Sequence, residues 1–474
     1  MEYFKICGGK KLSGQISVHG AKNSALPILA STLLIKGESV IHNCPDLSDV
    51  RVTLDILKSL GCKVKREKST VFVDASVVDN NEISEHTMRT MRSSIIFLSA
   101  LLSRQGSASI FYPGGCEIGT RPIDLHLKAF HDLGADVSVN GSSINACATS
   151  IIGTKIILPF PSVGTTENII IASAISKGKT IIVNPAREPE ISDLADFLNH
   201  CGAKIYGAGE STIVIDGVKR LDACEHTIIP DRILASTYMS LGAVCSKELT
   251  VNNIRQSHLS PVFPVFTEMG CKIYLSDNSL TLVSPKKLKR VRSIKTMPYP
   301  GFPTDSQSPV AVALALAKGT SILQETIFEN RFRYVSELNR FGTDIEIKDN
   351  IAVINGVDKL HSANVNATDL RGGAALVVAA LCANGESNIY GIEHIDRGYE
   401  NLENALSSIG ADIKRSKNEG ETKAKASKKE IESRQKLMMN FLIWVLSLRN
   451  YIGSLKTRLF RLSKKNHVKM KNTV

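Results

Sequence analysis

Six copies of one short pattern run through this chain and limit what it can fold into. A helical stretch, a glycine, a small or polar residue and a short strand recur as LKSLGCKV, FHDLGADV, LNHCGAKI, FTEMGCKI, LNRFGTDI and LSSIGADI. Their glycines are Gly61, Gly134, Gly202, Gly270, Gly342 and Gly410, separated by 73, 68, 68, 72 and 68 residues. Each copy reads as a helix that stops at a left-handed glycine and turns directly into a strand. A second element recurs about 25 residues earlier, as LLIKGESVIHN, LLSRQGSASIF, AISKGKTIIVN, LGAVCSKELTVNN, LALAKGTSILQET and LCANGESNIYG. There an apolar helix ends in a polar turn and a β-branched strand follows. One unit thus alternates strands with two helices, which makes the chain α/β. A doubly wound sheet or a TIM barrel also alternates in this way. Six units of about 70 residues suit neither, because a barrel wants eight shorter βα steps. At 474 residues the chain is too long for one ordinary core. Three units in each of two domains, with a ligand cleft between them, is the expected arrangement.

The net charge of +12 would suggest nucleic acid if it were spread over a folded domain. It is not: residues 415–474 hold 16 Lys or Arg against 4 Asp or Glu, so residues 1–414 are neutral overall. Nucleic acid is therefore not an expected partner. In this basic tail, 423–436 is a charged, helix-prone run, and 437–448 (LMMNFLIWVLSL) is apolar and carries the only Trp. Twelve residues are short for a membrane span. A helix lying weakly on an anionic membrane surface, a disordered extension and an altered reading frame are all open readings of it. The opening MEYFKICGGKKLSG lacks a secretory h-region, so a cytoplasmic protein is expected. Ten cysteines show no CxxC pair and no Cys–His cluster at zinc spacing. Free thiols are expected, nine of them as small buried hydrophobes.

The tenth is Cys116, in YPGGCEIGTRP, where three glycines and two prolines describe an ordered loop and Arg121 favours a thiolate. Lys22, Asn23 and Ser24 follow a Gly-Ala pair and open an apolar helix, an anion site in outline although not at Walker A spacing. On local grounds alone, an ordinary capped helix with a solvent-exposed lysine is the simpler reading. Arg92, Arg331, Arg333, Arg371 and Arg397 stand at segment edges, where dianions bind well. Asp305 and Asp369 each precede a helix, so each is either a simple N-cap or a chemical group.

Eight motifs taken in order, GAKNSALP, PGGCEIGTRPIDLH, SVGTTEN, AREPEI, FPTD, ENRF, TDLRGG and HIDRGYE, resemble those of the UDP-N-acetylglucosamine 1-carboxyvinyltransferases, the MurA enolpyruvyl transferases of peptidoglycan synthesis. The likeness covers residues 1–414. It implies an inside-out α/β barrel of six βαβαββ units, three per domain. Residues 1–20 plus 230–414 would form one domain and 21–229 the other, which carries the Cys116 loop, with the chain crossing between them twice. It further implies transfer of the enolpyruvyl group of phosphoenolpyruvate to the 3-hydroxyl of the sugar nucleotide with release of phosphate, the first committed step of wall synthesis. That step serves cell shape and division, and the reaction needs no metal and no organic cofactor.

The same resemblance assigns roles. Cys116 corresponds to the proton donor that fosfomycin alkylates, and Lys22, Arg121 and Arg397 to the residues holding phosphoenolpyruvate. Asn23, Arg92 and the run Arg121, Pro122, Ile123, Asp124 and Leu125 correspond to the nucleotide-sugar site. Ser162, Val163, Gly164, Asp305 and Ile327 complete that site. Asp305 is also the candidate base, with Asp369 and Arg371 near the reacting centre. Phe160 departs from the lysine that some members carry there, which puts one nucleotide contact in doubt. Closure of the two domains, with the Cys116 loop as lid, is expected. The related shikimate-pathway enzyme and a silent, sugar-nucleotide-binding paralogue are the competing functions.

Overall fold

A computed structural model describes residues 2–114, 118–119 and 123–417. The expectations placed on Cys116, Arg121, Pro122 and the tail from 418 onward lie outside these residues, as does the side chain of Arg92.

One unit shows how the sequence builds the rest. Ser162 ends an extended segment, and its hydroxyl accepts from Thr165 N, starting the helix Val163–Ala174. Ten of this helix's twelve residues are buried, as an almost uniformly apolar helix must be. The strand Lys179–Val183 then buries alternate residues on one face. The amphipathic helix Pro189–His200 follows and stops at Gly202, whose φ is +97°. The chain returns as the antiparallel strands Lys204–Tyr206 and Thr212–Asp216, the latter pairing with Lys179–Val183 so that Ile181 faces Val214. Lys155–Ile157 adds a parallel edge.

The same order recurs. Gly61, Gly134, Gly202, Gly270, Gly342 and Gly410 all have φ between +85° and +101°, a region that a side chain avoids. Five four-stranded sheets and one of three strands form among the described residues. In the smaller sheet (Ser107–Phe111, Ser143–Cys147, Asp136–Asn140), a parallel bridge between Glu82 and Ser109 stands where the others have an edge strand. Helices such as Lys22–Ser31, Gln307–Ala315 and Leu370–Cys382 are buried nearly all round, while the sheets keep one face toward solvent. Helices inside and sheets outside are the inside-out α/β barrel arrangement.

Buried apolar side chains fall into two clusters. One runs from Ala21 to Ile229, and the other joins Phe4–Val18 to residues 234–413. The two passages between them lie side by side: Gly20 and Pro230 form an antiparallel bridge, Ala21 N donates to Ile229 O at 2.7 Å, and Asp231 N to His19 O at 2.9 Å. Only glycine fits at position 20, because a Cβ there would meet Asn43 O at 1.8 Å. Asn43, Asn184 and Asn253 each take positive φ just past a central strand. Each donates its side-chain amide to a backbone carbonyl beside it, Ile228 O, Leu158 O and Val18 O respectively.

The cysteines need one correction. Among the described residues Cys44, Cys62, Cys201, Cys245 and Cys271 are buried, but Cys7, Cys224 and Cys382 are half-buried and Cys147 is exposed. Cys147 ends a strand on its outward-facing register, so alternation rather than residue type decides its place. No helix among the described residues is long and apolar enough to cross a membrane.

Candidate active site

A cavity of about 520 Å³ is lined by residues of both clusters. Lys22, Asp124, Val163, Arg232 and Leu370 all line it, and each is the first residue of a helix. Five helix N-termini turned to one space give it positive potential, a setting for anions.

Lys22 is buried, only 8% exposed, and its Nζ lies 3.1 Å from Asp49 Oδ2. This overturns the reading of a solvent-exposed lysine on an ordinary capped helix, for the N-cap position is Ala21, which supplies no side-chain cap. Arg397 reaches the same carboxylate, with Nε 2.9 Å from Asp49 Oδ1 and Nη2 3.4 Å from Oδ2. Burial alone would raise the Asp49 carboxyl, but Lys22 and Arg397 outweigh it and hold the group below the usual range. Asp49 thereby ties a lysine from one end of the sequence to an arginine from the other.

Asp305 forms a second such knot. It sits in the tight turn Thr304–Ser306 and gives no side-chain cap to the helix Gln307–Ala315, which removes the simple N-cap reading. Its carboxylate instead takes Arg331 Nη2 at 2.7 Å and Arg371 Nη2 at 3.2 Å. Burial would lower the Arg371 guanidinium, yet Asp305 and nearby anionic groups push it up. Asp369 does cap its helix: Oδ1 accepts from Arg371 N and Gly372 N, while Oδ2 is buried with no partner. Arg371 Nη1 and Arg331 Nε are likewise unpartnered, so this corner keeps unused donors and an unused acceptor.

Asn23, Ile123, Leu125, Ser162, Gly164 and Ile327 also line the cavity, as does Phe160, which is exposed there. Arg333 is exposed and lies off the cavity lining. Sequence reasoning missed a second group on the wall. Glu190 grips Arg232 (Nε–Oε1 3.0 Å, Nη2–Oε2 3.2 Å), and Glu188 takes Tyr299 N at 3.3 Å. Glu167 is 5% exposed, and burial together with Glu190 and Glu188 drives its carboxyl well above the usual range. Burial also raises Glu188, partly offset by Arg232. The available signal for Asp49 and Glu190 was a carboxylate on the buried stripe of an amphipathic helix.

Paired cationic clusters thus stand at one cavity within six repeated βα units. Residues 6–406 match the family described as EPSP synthase (3-phosphoshikimate 1-carboxyvinyltransferase). The crystal structure of the enolpyruvyl transferase NikO from Streptomyces tendae is similar with a TM-score of 0.81 at 26% identity, over 88% of this chain and 99% of that one. An EPSP synthase from Acinetobacter baumannii shares the fold at a TM-score of 0.68 and 18% identity, over 88% of this chain and 100% of that one. UDP-N-acetylglucosamine 1-carboxyvinyltransferase 2 of Caldanaerobacter subterraneus subsp. tengcongensis is 51% identical over 88% of this chain and 100% of its own length. The enzyme of that name from Carboxydothermus hydrogenoformans is 48% identical, over 88% of this chain and 99% of its own. The chain belongs to the UDP-N-acetylglucosamine 1-carboxyvinyltransferase family.

Proposed function

We propose that this protein transfers the enolpyruvyl group of phosphoenolpyruvate to the 3-hydroxyl of UDP-N-acetylglucosamine, releasing phosphate. The observation that carries this reading is the pair of two-cation knots, Lys22–Asp49–Arg397 and Arg331–Asp305–Arg371, lining one cavity in a chain 51% identical to an enzyme of that name. Phosphoenolpyruvate carries a carboxylate and a phosphate, and the first knot offers Lys22 and Arg397 to hold them. Addition of the hydroxyl to C2 needs a proton delivered to C3 and one removed from the hydroxyl. Cys116 is read as the donor and Asp305 as the acceptor. Phosphate then leaves the tetrahedral ketal, and the guanidiniums offset the charge that develops.

Asn23, Ser162, Gly164 and Ile327, with Arg92, Arg121 and Pro122, are read as the sugar-nucleotide site, with Ile123 to Leu125 and Val163 beside them. The two core clusters support reading 1–20 plus 230–414 and 21–229 as the two domains, closing on the acceptor. A cytoplasmic location suits the free thiols found among the described residues. The tail's apolar run between basic residues supports weak contact with an anionic membrane surface. Unchanged vesicle co-sedimentation after deletion of 418–474 would reject that contact.

Phosphate release from phosphoenolpyruvate, with UDP-N-acetylglucosamine or shikimate 3-phosphate as acceptor and fosfomycin as inhibitor, tests the reaction. Release that requires the sugar nucleotide and stops with fosfomycin supports it. No release with either acceptor from folded protein would sink it. Cys116→Ala should lose at least about 10²-fold in rate, and near-normal turnover would remove the proton-donor role.

A further inference from the structure

Four cysteines outside the cavity fall into two close pairs. Cys201 Sγ lies 2.9 Å from Cys224 Sγ, and Cys245 Sγ lies 2.7 Å from Cys382 Sγ. Both separations are within about 1 Å of a disulfide bond, which measures about 2.05 Å. Each pair joins one buried thiol to one half-buried thiol: Cys201 and Cys245 are buried, Cys224 and Cys382 are not fully so. Each core cluster holds one pair. Among the described residues the other buried thiols have no second cysteine beside them, and burial pushes Cys44 and Cys271 up to about 12 and Cys62 up to about 11. Cys224 differs from them. The Cys201 thiol hydrogen-bonded to it outweighs burial and, with His226 nearby, holds it below an ordinary thiol.

Position also sets the pairs apart from the chemistry. Cys245 and Cys382 are the last residues of the helices Arg232–Cys245 and Leu370–Cys382, whose first residues line the cavity. At about 1.5 Å of rise per residue these ends lie roughly 20 Å from the site. Cys201 follows the helix Pro189–His200, and Cys224 precedes the strand Glu225–Thr227.

We propose that Cys201–Cys224 and Cys245–Cys382 are two modification sites, each closing to an intramolecular disulfide when a peroxide reaches its half-buried thiol. The thiolate of Cys224 attacks one peroxide oxygen, the O–O bond breaks, and a sulfenic acid and hydroxide form. The Cys201 sulfur then attacks that sulfur, the S–O bond breaks, and the hydroxyl leaves as water with the Cys201 proton. Two thiols lose two electrons and two protons, and one peroxide becomes two waters. Cys245 and Cys382 close by the same bond changes, but there burial and the hydrogen bond with Cys245 push the Cys382 thiol well up, so this pair should close more slowly than Cys201–Cys224.

The test uses the full chain, reduced and then treated with hydrogen peroxide. Free thiols are trapped with N-ethylmaleimide, and non-reducing digests are read by tandem mass spectrometry. Peptides joined as 201–224 and 245–382, each lighter by two hydrogens, are expected, with Cys44, Cys62 and Cys271 recovered as maleimide adducts. Recovery of all four paired cysteines as separate adducts or sulfinic acids would overturn the proposal, as would the same links forming equally in urea. A second measurement uses Cys201→Ser and dimedone, which captures sulfenic acids. Loss of the linked peptide with gain of a Cys224–dimedone adduct is expected. Equal dimedone capture at Cys224 in the unsubstituted protein would mean that Cys201 does not resolve it.

Discussion

Two parts of the cavity wall answer charge in opposite ways. In one, Asp49 and Asp305 each stand between two cations. In the other, Glu167, Glu188 and Glu190 gather around Arg232, and carboxylates outnumber the guanidinium three to one. Asp49 and Glu167 are both buried, yet their carboxyls shift in opposite directions: Asp49 falls because neighbours overcome burial, and Glu167 rises because its neighbours add to it. The first wall suits a substrate rich in negative charge. The second, rich in carboxyl oxygens, suits hydroxyl-bearing parts that can hydrogen-bond to them.

Breaking the cationic wall should have the largest effect. Arg397→Met removes one of two groups held on Asp49, and kcat/KM for phosphoenolpyruvate should fall about 10²- to 10³-fold. Steady-state kinetics with each substrate varied checks this, and a loss confined to the sugar nucleotide would reverse the assignment of the two walls. On the acidic wall, Arg232→Met strands Glu190 without its cation and should lower unfolding stability by about 3–5 kcal/mol in urea melts. A cost near zero would mean that this cluster reorganises freely.

Asp49→Asn comes next. Lys22 and Arg397 keep a polar neighbour but lose its charge, so a loss of about 2 kcal/mol is expected. Added phosphate should restore part of it, and more in the variant than in the parent, because an anion then takes the place of the lost carboxylate beside Lys22 and Arg397. Thermal melts with and without phosphate read this directly. Smallest is Glu167→Gln, expected to raise Tm near pH 8. The folded carboxyl titrates above the unfolded value of 4.5, so its contribution is fully present below that pH and is lost as pH rises through the folded value. The glutamine cannot lose a proton, so its advantage should vanish below about pH 4.5. An advantage that persists in acid would point to packing instead of charge.

The contrast also marks what the sequence could tell. The repeat was legible because each copy ends on a glycine that must take positive φ, a local demand written in one residue. Lys22, Asp305, Asp369, Arg371 and Arg397 were legible because they stand in motifs or at helix starts, where polar groups are exceptional. Their partners were not. Asp49 sits in an unmarked helix 348 residues from Arg397, and Arg232 is 42 residues from Glu190. Only the three-dimensional meeting of separate units pairs them. The recurring asparagines Asn43, Asn184 and Asn253 were visible as letters in the repeats, but their task of tying one strand end to a neighbour depends on which strand lies beside them, and for Asn43 and Asn253 the partner carbonyl is 185 and 235 residues away.

The side-by-side passage at Gly20 and Pro230 carries a topological consequence. Residues 21–229 leave the rest of the chain and rejoin it at neighbouring points, as a cassette spliced into a loop would. The termini of such a cassette meet, so a short linker could close it on itself and new ends could be opened elsewhere by circular permutation. By the same connectivity the remaining chain is an interrupted ring whose first strands, Glu2–Gly8 and Leu12–Ser17, complete sheets begun near its far end and just after the splice.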